Sequence, residues 1–141
     1  MSVYIPKNYT SILDLMETQQ AIKFVKDTFE RKLAEKLNLT RVSAPLFVRE
    51  SSGLNDNLSG IEKPVSFHIN AFPDSIEIVQ SLAKWKRMAL NKYRFLPESG
   101  LYTDMNAIRK DETLDNLHSL YVDQWDWERV ILPNDRNVAY L

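Results

Sequence analysis

The sequence has no cysteine, only three glycines and no block of charge of a single sign. Without thiols there is no disulfide framework, no zinc-thiolate centre and no cysteine nucleophile. Gly53, Gly60 and Gly100 stand too far apart to make a GxGxxG fingerprint or a P-loop, and no Gly-x-Ser-x-Gly elbow is present. Lys and Arg number 18 against 19 Asp and Glu, giving a net charge of −1, and the basic residues are scattered among the acidic ones. That distribution leaves no footprint for a phosphate backbone, so nucleic acid is not an expected partner. Met1 to Lys7 lack the basic and apolar pattern of a signal peptide, and no apolar run approaches the length of a membrane helix. A membrane is not an expected partner either, and the cytoplasm is the expected compartment.

What is present is the balance of a soluble globular domain, 44% hydrophobic and 26% charged over 141 residues, enough chain for a real core. Residues 1–18 lack sustained periodicity and carry Pro6, which reads as an N-terminal arm; residues 19–141 read as one folded unit. From Gln19, the residues Ile22, Val25, Phe29, Leu33 and Leu37 step by three or four along one helical stripe, and Asn38 suits a left-handed helix end. Residues 40–48 are β-prone but interrupted by Pro45, and residues 50–60 are loop-like. Alternation over residues 65–71 and 76–79, with Pro73 and Asp74 between, predicts an antiparallel pair. Residues 81–93 predict a second helix with Ser81 as N-cap and Leu82, Trp85, Ala89 and Tyr93 inward. A second hairpin is expected from residues 101–109 and 117–130. His68 and His118 read as plain strand residues, and no metal ligands are assigned. The fold class is α+β, a mainly antiparallel sheet flanked by helices.

The last strand carries the densest chemistry. Gln124, Asp126 and Glu128 lie two apart and project from one strand face, with Trp125 and Trp127 on the other. The same alternation describes any strand with one wet face and one packed face. Arg109 and Glu112, at the end of the preceding strand, add what such a strand lacks, since a guanidinium gives planar, non-titrating recognition of phosphate or carboxylate. A ligand bearing both an anionic group and an ammonium, such as an amino acid activated by ATP, suits an Arg on one strand and carboxylates on its neighbour. Arg109 shares their face only if the hairpin register sets it opposite an even-numbered residue such as His118 or Leu120. Of the helix lysines, Lys86 flanks the buried stripe and is best placed to reach inward. Asp56, in a polar turn, also reads as a plain turn former.

Several long peptides resemble the aspartate–ammonia ligases, ammonia-dependent asparagine synthetases related to class II aminoacyl-tRNA synthetases. They are Asp56-Asn57-Leu58-Ser59-Gly60, Ser81-Leu82-Ala83-Lys84-Trp85-Lys86-Arg87, Gly100-Leu101-Tyr102-Thr103, and Tyr121-Val122-Asp123-Gln124-Trp125-Asp126-Trp127-Glu128-Arg129. The resemblance implies a partial class II synthetase-like catalytic domain making L-asparagine from L-aspartate, ammonia and ATP with Mg²⁺, by way of a β-aspartyl adenylate. It makes Arg109 the partner of the ATP α-phosphate, with Glu112 and Glu128 also on the ATP side, and Lys86, Gln124 and Asp126 contacts of the aspartate. It makes Asp56 a residue of the amidation step, with Lys86 and Arg109 its catalytic companions, and the first helix with Pro45 a homodimer surface. The glycine-rich third motif of that family has no counterpart in these residues, so the expectation is an incomplete, inactive piece of the ligase. The rival expectations are a non-catalytic truncated paralogue or interaction module, and an aspartyl- or asparaginyl-tRNA synthetase core.

Overall fold

The computed structural model describes residues 3–141. The first helix, α1, spans Leu15–Leu37. It starts ahead of Gln19 because Asp14 and Glu17 form a capping box: the Glu17 N–H donates to Asp14 at 2.8 Å and the Asp14 N–H donates to Glu17 at 2.9 Å. Two donors that a helix start leaves orphaned are thereby satisfied. Asn38 ends α1 in the left-handed conformation, with φ 55° and ψ 56°.

The strands follow as β1 Leu39–Arg41 and β2 Phe47–Arg49 on either side of Pro45, then β3 Ser66–Phe67 and β4 Ile76–Ile78. The predicted strand over residues 65–71 shrinks to two residues because the chain turns early, the Phe72 N–H reaching the Ile69 carbonyl at 3.3 Å. Helix α2 covers Ala83–Lys92. Leu82, not Ser81, takes its cap position, although the Ser81 hydroxyl accepts the Ala83 N–H at 3.3 Å. Tyr93 sits past the last turn and is half exposed rather than inward. The long hairpin pairs β5, Gly100–Ile108, with β6, Tyr121–Arg129. Strand β6 starts later than Leu117 because the Asp115 carboxylate accepts the N–H groups of Leu117 and His118 at 2.7 and 2.8 Å, folding residues 115–118 into a turn. His118 therefore lies in that turn rather than in a strand, and His68 follows β3 rather than belonging to it.

Two three-stranded sheets result, ordered β1-β5-β6 and β2-β4-β3, with β1 and β5 the parallel pair and the remaining pairs antiparallel. This is an α+β fold rich in antiparallel pairing. The register places Leu101 opposite Glu128, Thr103 opposite Asp126 and Met105 opposite Gln124. Directly opposed residues share a sheet face, so one face carries Leu101, Thr103, Met105 and Ala107 with the even-numbered residues of β6. Val79, Leu82, Trp85 and Ala89 pack on that face, and together they make the buried core. Helix α1 serves the other face, where Phe29 stacks on Trp125 with ring centroids 5.5 Å apart and Glu30 accepts the Tyr102 hydroxyl at 2.8 Å. Burial and that bond push the Tyr102 phenol up to about 12.

The stripe expected to bury α1 is covered only in part: Ile22, Val25 and Phe29 are 46%, 59% and 46% exposed, Leu33 and Leu37 are half-buried, and no residue of the helix is fully covered. Trp127 is likewise more open than a residue packed behind the sheet, because α1 reaches Trp125 but leaves Trp127 beside a cavity.

Gly100 is the tightest point of the sheet. A Cβ there would lie 2.2 Å from the Glu128 carbonyl and 2.9 Å from Leu39, so backbone rather than a flexible side chain blocks it. Gly100→Ala is expected to lower stability by about 1–3 kcal/mol, the usual cost of overpacking. A reduced urea midpoint at unchanged slope is the measurement that checks it.

Candidate active site

Lys86 points from α2 into the sheet and is 5% exposed. Such a charge needs partners, and it has three: its ammonium donates to Asp126 Oδ1, to the Trp127 carbonyl at 2.9 Å, and pairs with Glu128 Oε2 at 3.2 Å. Three donors meet three acceptors. Asp126 and Glu128 keep about a quarter of their side-chain surface open, 25% and 29%, so the cluster faces solvent through its carboxylates. Gln124, one step further along the same face, touches Met105 Sδ at 3.0 Å.

The hairpin register settles the side on which Arg109 lies. Its N–H donates to the Leu120 carbonyl at 2.7 Å, continuing the ladder one pair beyond Ile108 and Tyr121. Arg109 therefore stands opposite an even-numbered residue, on the face of Gln124, Asp126 and Glu128. It is not beside them. Thr103, the partner of Asp126, is six residues from Arg109, or about 20 Å of strand at roughly 3.3 Å per residue. One face thus carries two stations, Lys86 with its acids and Arg109 with Glu112, and Glu128 belongs to the first of them. The Glu112 N–H closes a turn onto the Arg109 carbonyl at 3.0 Å. Among the described residues the Arg109 guanidinium has no hydrogen-bond or ion-pair partner, which leaves its planar fork available to an anion.

Asp56 is half-buried in the loop between β2 and β3. Its neighbour Asn55 anchors that loop: the Asn55 amide donates to Glu77 at 3.0 Å and to the Ile78 carbonyl at 3.2 Å, and its Oδ1 accepts the Gln80 N–H at 2.9 Å. Lys84 adds a bond to the Asn55 carbonyl at 3.2 Å. Asp56 is thus held beside the start of α2 without sharing a contact with Lys86 or Arg109. Sequence reasoning missed Asn55 and Gln80, both buried. Asn55 looks like any turn former, and Gln80 sits in a β-to-α junction with no periodicity to mark it.

Among the described residues no group of three or more His, Cys, Asp or Glu is arranged to hold a metal ion, and no helix is long and apolar enough to cross a membrane. A cavity of about 790 Å³ opens elsewhere, against Trp127, Arg129, Val138 and Tyr140. Of the candidate residues only Glu128 borders it, so size does not mark the place where the polar chemistry collects.

Lys86→Met leaves Asp126 and Glu128 as adjacent like charges. Breaking a fully buried pair costs about 3–5 kcal/mol, but these carboxylates are partly hydrated and screened. The expected loss is about 1–3 kcal/mol in urea unfolding, against about 0.5 kcal/mol or less for the exposed Arg87→Met. A second outcome concerns the turn after the Arg109 loop, where the Asp115 hydrogen bond raises the His118 pKa above 6.5 and the Leu117 N–H and His118 bonds lower that of Asp115 below 3.8. The His118 contribution is complete below 6.5 and lost as pH rises through its raised value. The Asp115 contribution is complete above 3.8 and lost as pH falls through its lowered value. NMR titration should place the His118 midpoint above 6.5, and Asp115→Asn should return it toward 6.5.

Residues 16–141 match the family described as Aspartate-ammonia ligase. The chain is 62% identical over 140 residues to an aspartate–ammonia ligase of Clostridium perfringens (strain SM101 / Type A), covering 99% of this chain and 42% of that protein. It is 65% identical over 138 residues to that of Clostridium tetani (strain Massachusetts / E88), covering 97% and 40%, and 56% identical over 142 residues to that of Lactobacillus johnsonii, covering 100% and 42%. The chain spans about two fifths of the length of the curated relatives it matches. With the family matched over residues 16–141, the chain belongs to the aspartate–ammonia ligase family.

Proposed function

We propose that this chain is the N-terminal part of an ATP-dependent ligase that joins ammonia to L-aspartate, making L-asparagine through a β-aspartyl adenylate and releasing AMP and pyrophosphate. The observation that carries the reading is one sheet face holding two stations about 20 Å apart in backbone, an unpartnered guanidinium and a lysine held by carboxylates. Aspartate carries two carboxylates and an ammonium. A carboxylate of the substrate replaces Glu128 among the three acceptors of Lys86, Asp126 faces the substrate ammonium and Gln124 adds a further polar contact. Arg109 meets the α-phosphate, Glu112 the adenine side, and Glu128 completes the polar rim. Asp56 belongs to the amidation half. No covalent enzyme intermediate is required: the aspartate side-chain carboxylate attacks the α-phosphorus, pyrophosphate leaves, and ammonia then displaces AMP from the acyl carbon. These residues act by positioning and by fixed charge, with Arg109 neutralising the phosphate.

The residues of this chain do not themselves fit a Mg²⁺ site, since Asp126 and Glu128 are engaged by Lys86 and no acidic triad exists among the described residues. Mg²⁺ would enter with ATP, as a companion of its phosphates. The resemblance to class II aminoacyl-tRNA synthetases, with residues 1–18 as an arm and residues 19–141 as part of the catalytic unit, is part of the same reading, as is a cytoplasmic setting.

The open apolar stripe of α1 favours a homodimer built through that helix and the Pro45 region, and it also favours the second reading, a non-catalytic partner of an intact subunit. Light scattering tests the surface: the isolated chain is expected to self-associate, and Phe29→Glu to weaken that association. The catalytic reading is tested in the full-length ligase carrying this segment by aspartate-dependent exchange of pyrophosphate into ATP. Arg109→Gln should reduce the exchange rate about 10²–10³-fold, the usual cost of removing one oxyanion donor. The 141-residue chain alone should make no asparagine. A requirement for tRNA, or turnover by the chain alone at roughly 1–10³ s⁻¹, contradicts the proposal.

A further inference from the structure

Gln80 joins the end of β4 to α2 and is 3% exposed, yet its carboxamide makes no hydrogen bond to any described residue and its Oε1 is buried without a partner. Buried polar groups are almost always paired, so an unpaired one asks what pairs with it. The backbone gives no room to escape, because the Gln80 N–H is fixed by Asn55 Oδ1 at 2.9 Å. Gln80 borders a cavity of about 70 Å³ whose walls include Arg109, Lys110, Asp111, Glu112 and Glu62. That volume holds one or two molecules the size of water, whose share of liquid volume is about 30 Å³.

The charges select among small guests. Three carboxylates face two cationic side chains, and once an anionic group of a bound substrate pairs with Arg109, the lining that remains is more strongly negative. Glu62 is held ionised by the Ser59 hydroxyl, at 2.7 Å. A small cation or neutral molecule rich in N–H donors suits such a space, whereas a small anion does not. Resting on the reading above, in which the reaction consumes ammonia, we infer that this cavity is the subsite of the nitrogen substrate and that Gln80 Oε1 accepts a hydrogen bond from ammonium or ammonia held there. The location has a second merit: the segment that anchors Gln80 is the one that carries Asp56, so the subsite and the candidate amidation residue are fixed by the same asparagine.

A carboxamide oxygen also accepts from water, and a monovalent cation of similar size is drawn by the same field, so the test must separate ammonium from both. The ¹⁵N-labelled 141-residue chain is titrated with ammonium chloride, and with potassium chloride at equal ionic strength, while the Gln80 side-chain amide signals are followed by NMR. A saturable shift with ammonium and none with potassium is expected, and Gln80→Leu should abolish the matching response at Lys110 and Asp111. Identical responses to the two salts, or no response to either, overturn the assignment. In the full-length ligase, Gln80→Leu should raise the KM for ammonia by about tenfold or more, the scale of one lost hydrogen bond, while the KM for aspartate moves far less. Gln80→Glu, which keeps an acceptor of the same shape, should restore much of the ammonia KM and guards against a variant that merely misfolds. Aspartate-dependent pyrophosphate exchange, which needs no ammonia, is run on the unsubstituted enzyme. Its absence defeats the ligase reading, whereas exchange with an ammonia KM indifferent to Gln80→Leu defeats the Gln80 subsite alone.

Discussion

A lysine ammonium brought between α2 and β6 is the constraint around which this structure is arranged. Removing such a charge from water is costly unless every donor finds an acceptor. Asp126, Glu128 and the Trp127 carbonyl meet that need together. Because two of the acceptors are side chains two residues apart on one strand and the third is the carbonyl between them, α2 must cross β6 at one place and in one rotation. The apolar residues of α2, Trp85 and Ala89, then fall on Leu101, Met105 and Ala107 of β5. The polar cluster thus fixes how the helix docks, while the hydrophobic contacts around it supply most of the driving force.

The sheet separates two tasks by face. Toward α1 the contacts are structural: Phe29 on Trp125, Tyr102 on Glu30, and Lys26 on Asp123 at 2.9 Å. Toward α2 the strands carry Thr103, Gln124, Asp126 and Glu128 beside core residues. Loops complete the second face, and they are tied rather than loose. Asn55 secures one of them with three hydrogen bonds through its side chain, and the Asp111 carboxylate secures the next by accepting the Lys63 N–H at 2.9 Å. Polar groups that converge on a ligand are best held by such supports, because side chains on untethered loops lose the orientation that binding requires.

Much of this was legible in the residues. The period-two pattern of β6 separated Gln124, Asp126 and Glu128 from the tryptophans, and the position of Lys86 beside Leu82 and Ala89 marked it as the lysine that turns inward. What the pattern did not contain was distance. Alternation assigns a face, but the separation of Arg109 from Lys86 along the strand depends on how far the paired segment runs. The apolar stripe of α1 misled in a different way, because periodicity reports that a surface prefers cover without saying whether the same chain provides it. Helix and strand starts shifted where a side chain captured backbone N–H groups, at Asp14 and again at Asp115. Gln80 carried no signal at all, since an unpaired buried amide is a property of three-dimensional packing.

The parallel ladder of β1 with β5 bears on how the chain folds as it is made. Leu39 pairs with Gly100 and Arg41 with Tyr102, so the first strand has no ladder partner until about 60 further residues have left the ribosome. At translation speeds of about 5–20 residues per second that is a wait of roughly 3–12 s. During it α1 has no sheet to lie on, and even in the folded chain Ile22, Val25 and Phe29 of its stripe stay about half exposed. The capping box at Asp14 and the left-handed stop at Asn38 allow the helix to hold its shape from local contacts alone. A helix that takes shape from local contacts before its sheet exists has to keep that apolar side from clinging to other nascent segments throughout the wait, so the charged residues beside the stripe, among them the Lys23–Asp27 pair, serve solubility during synthesis as well as in the finished fold.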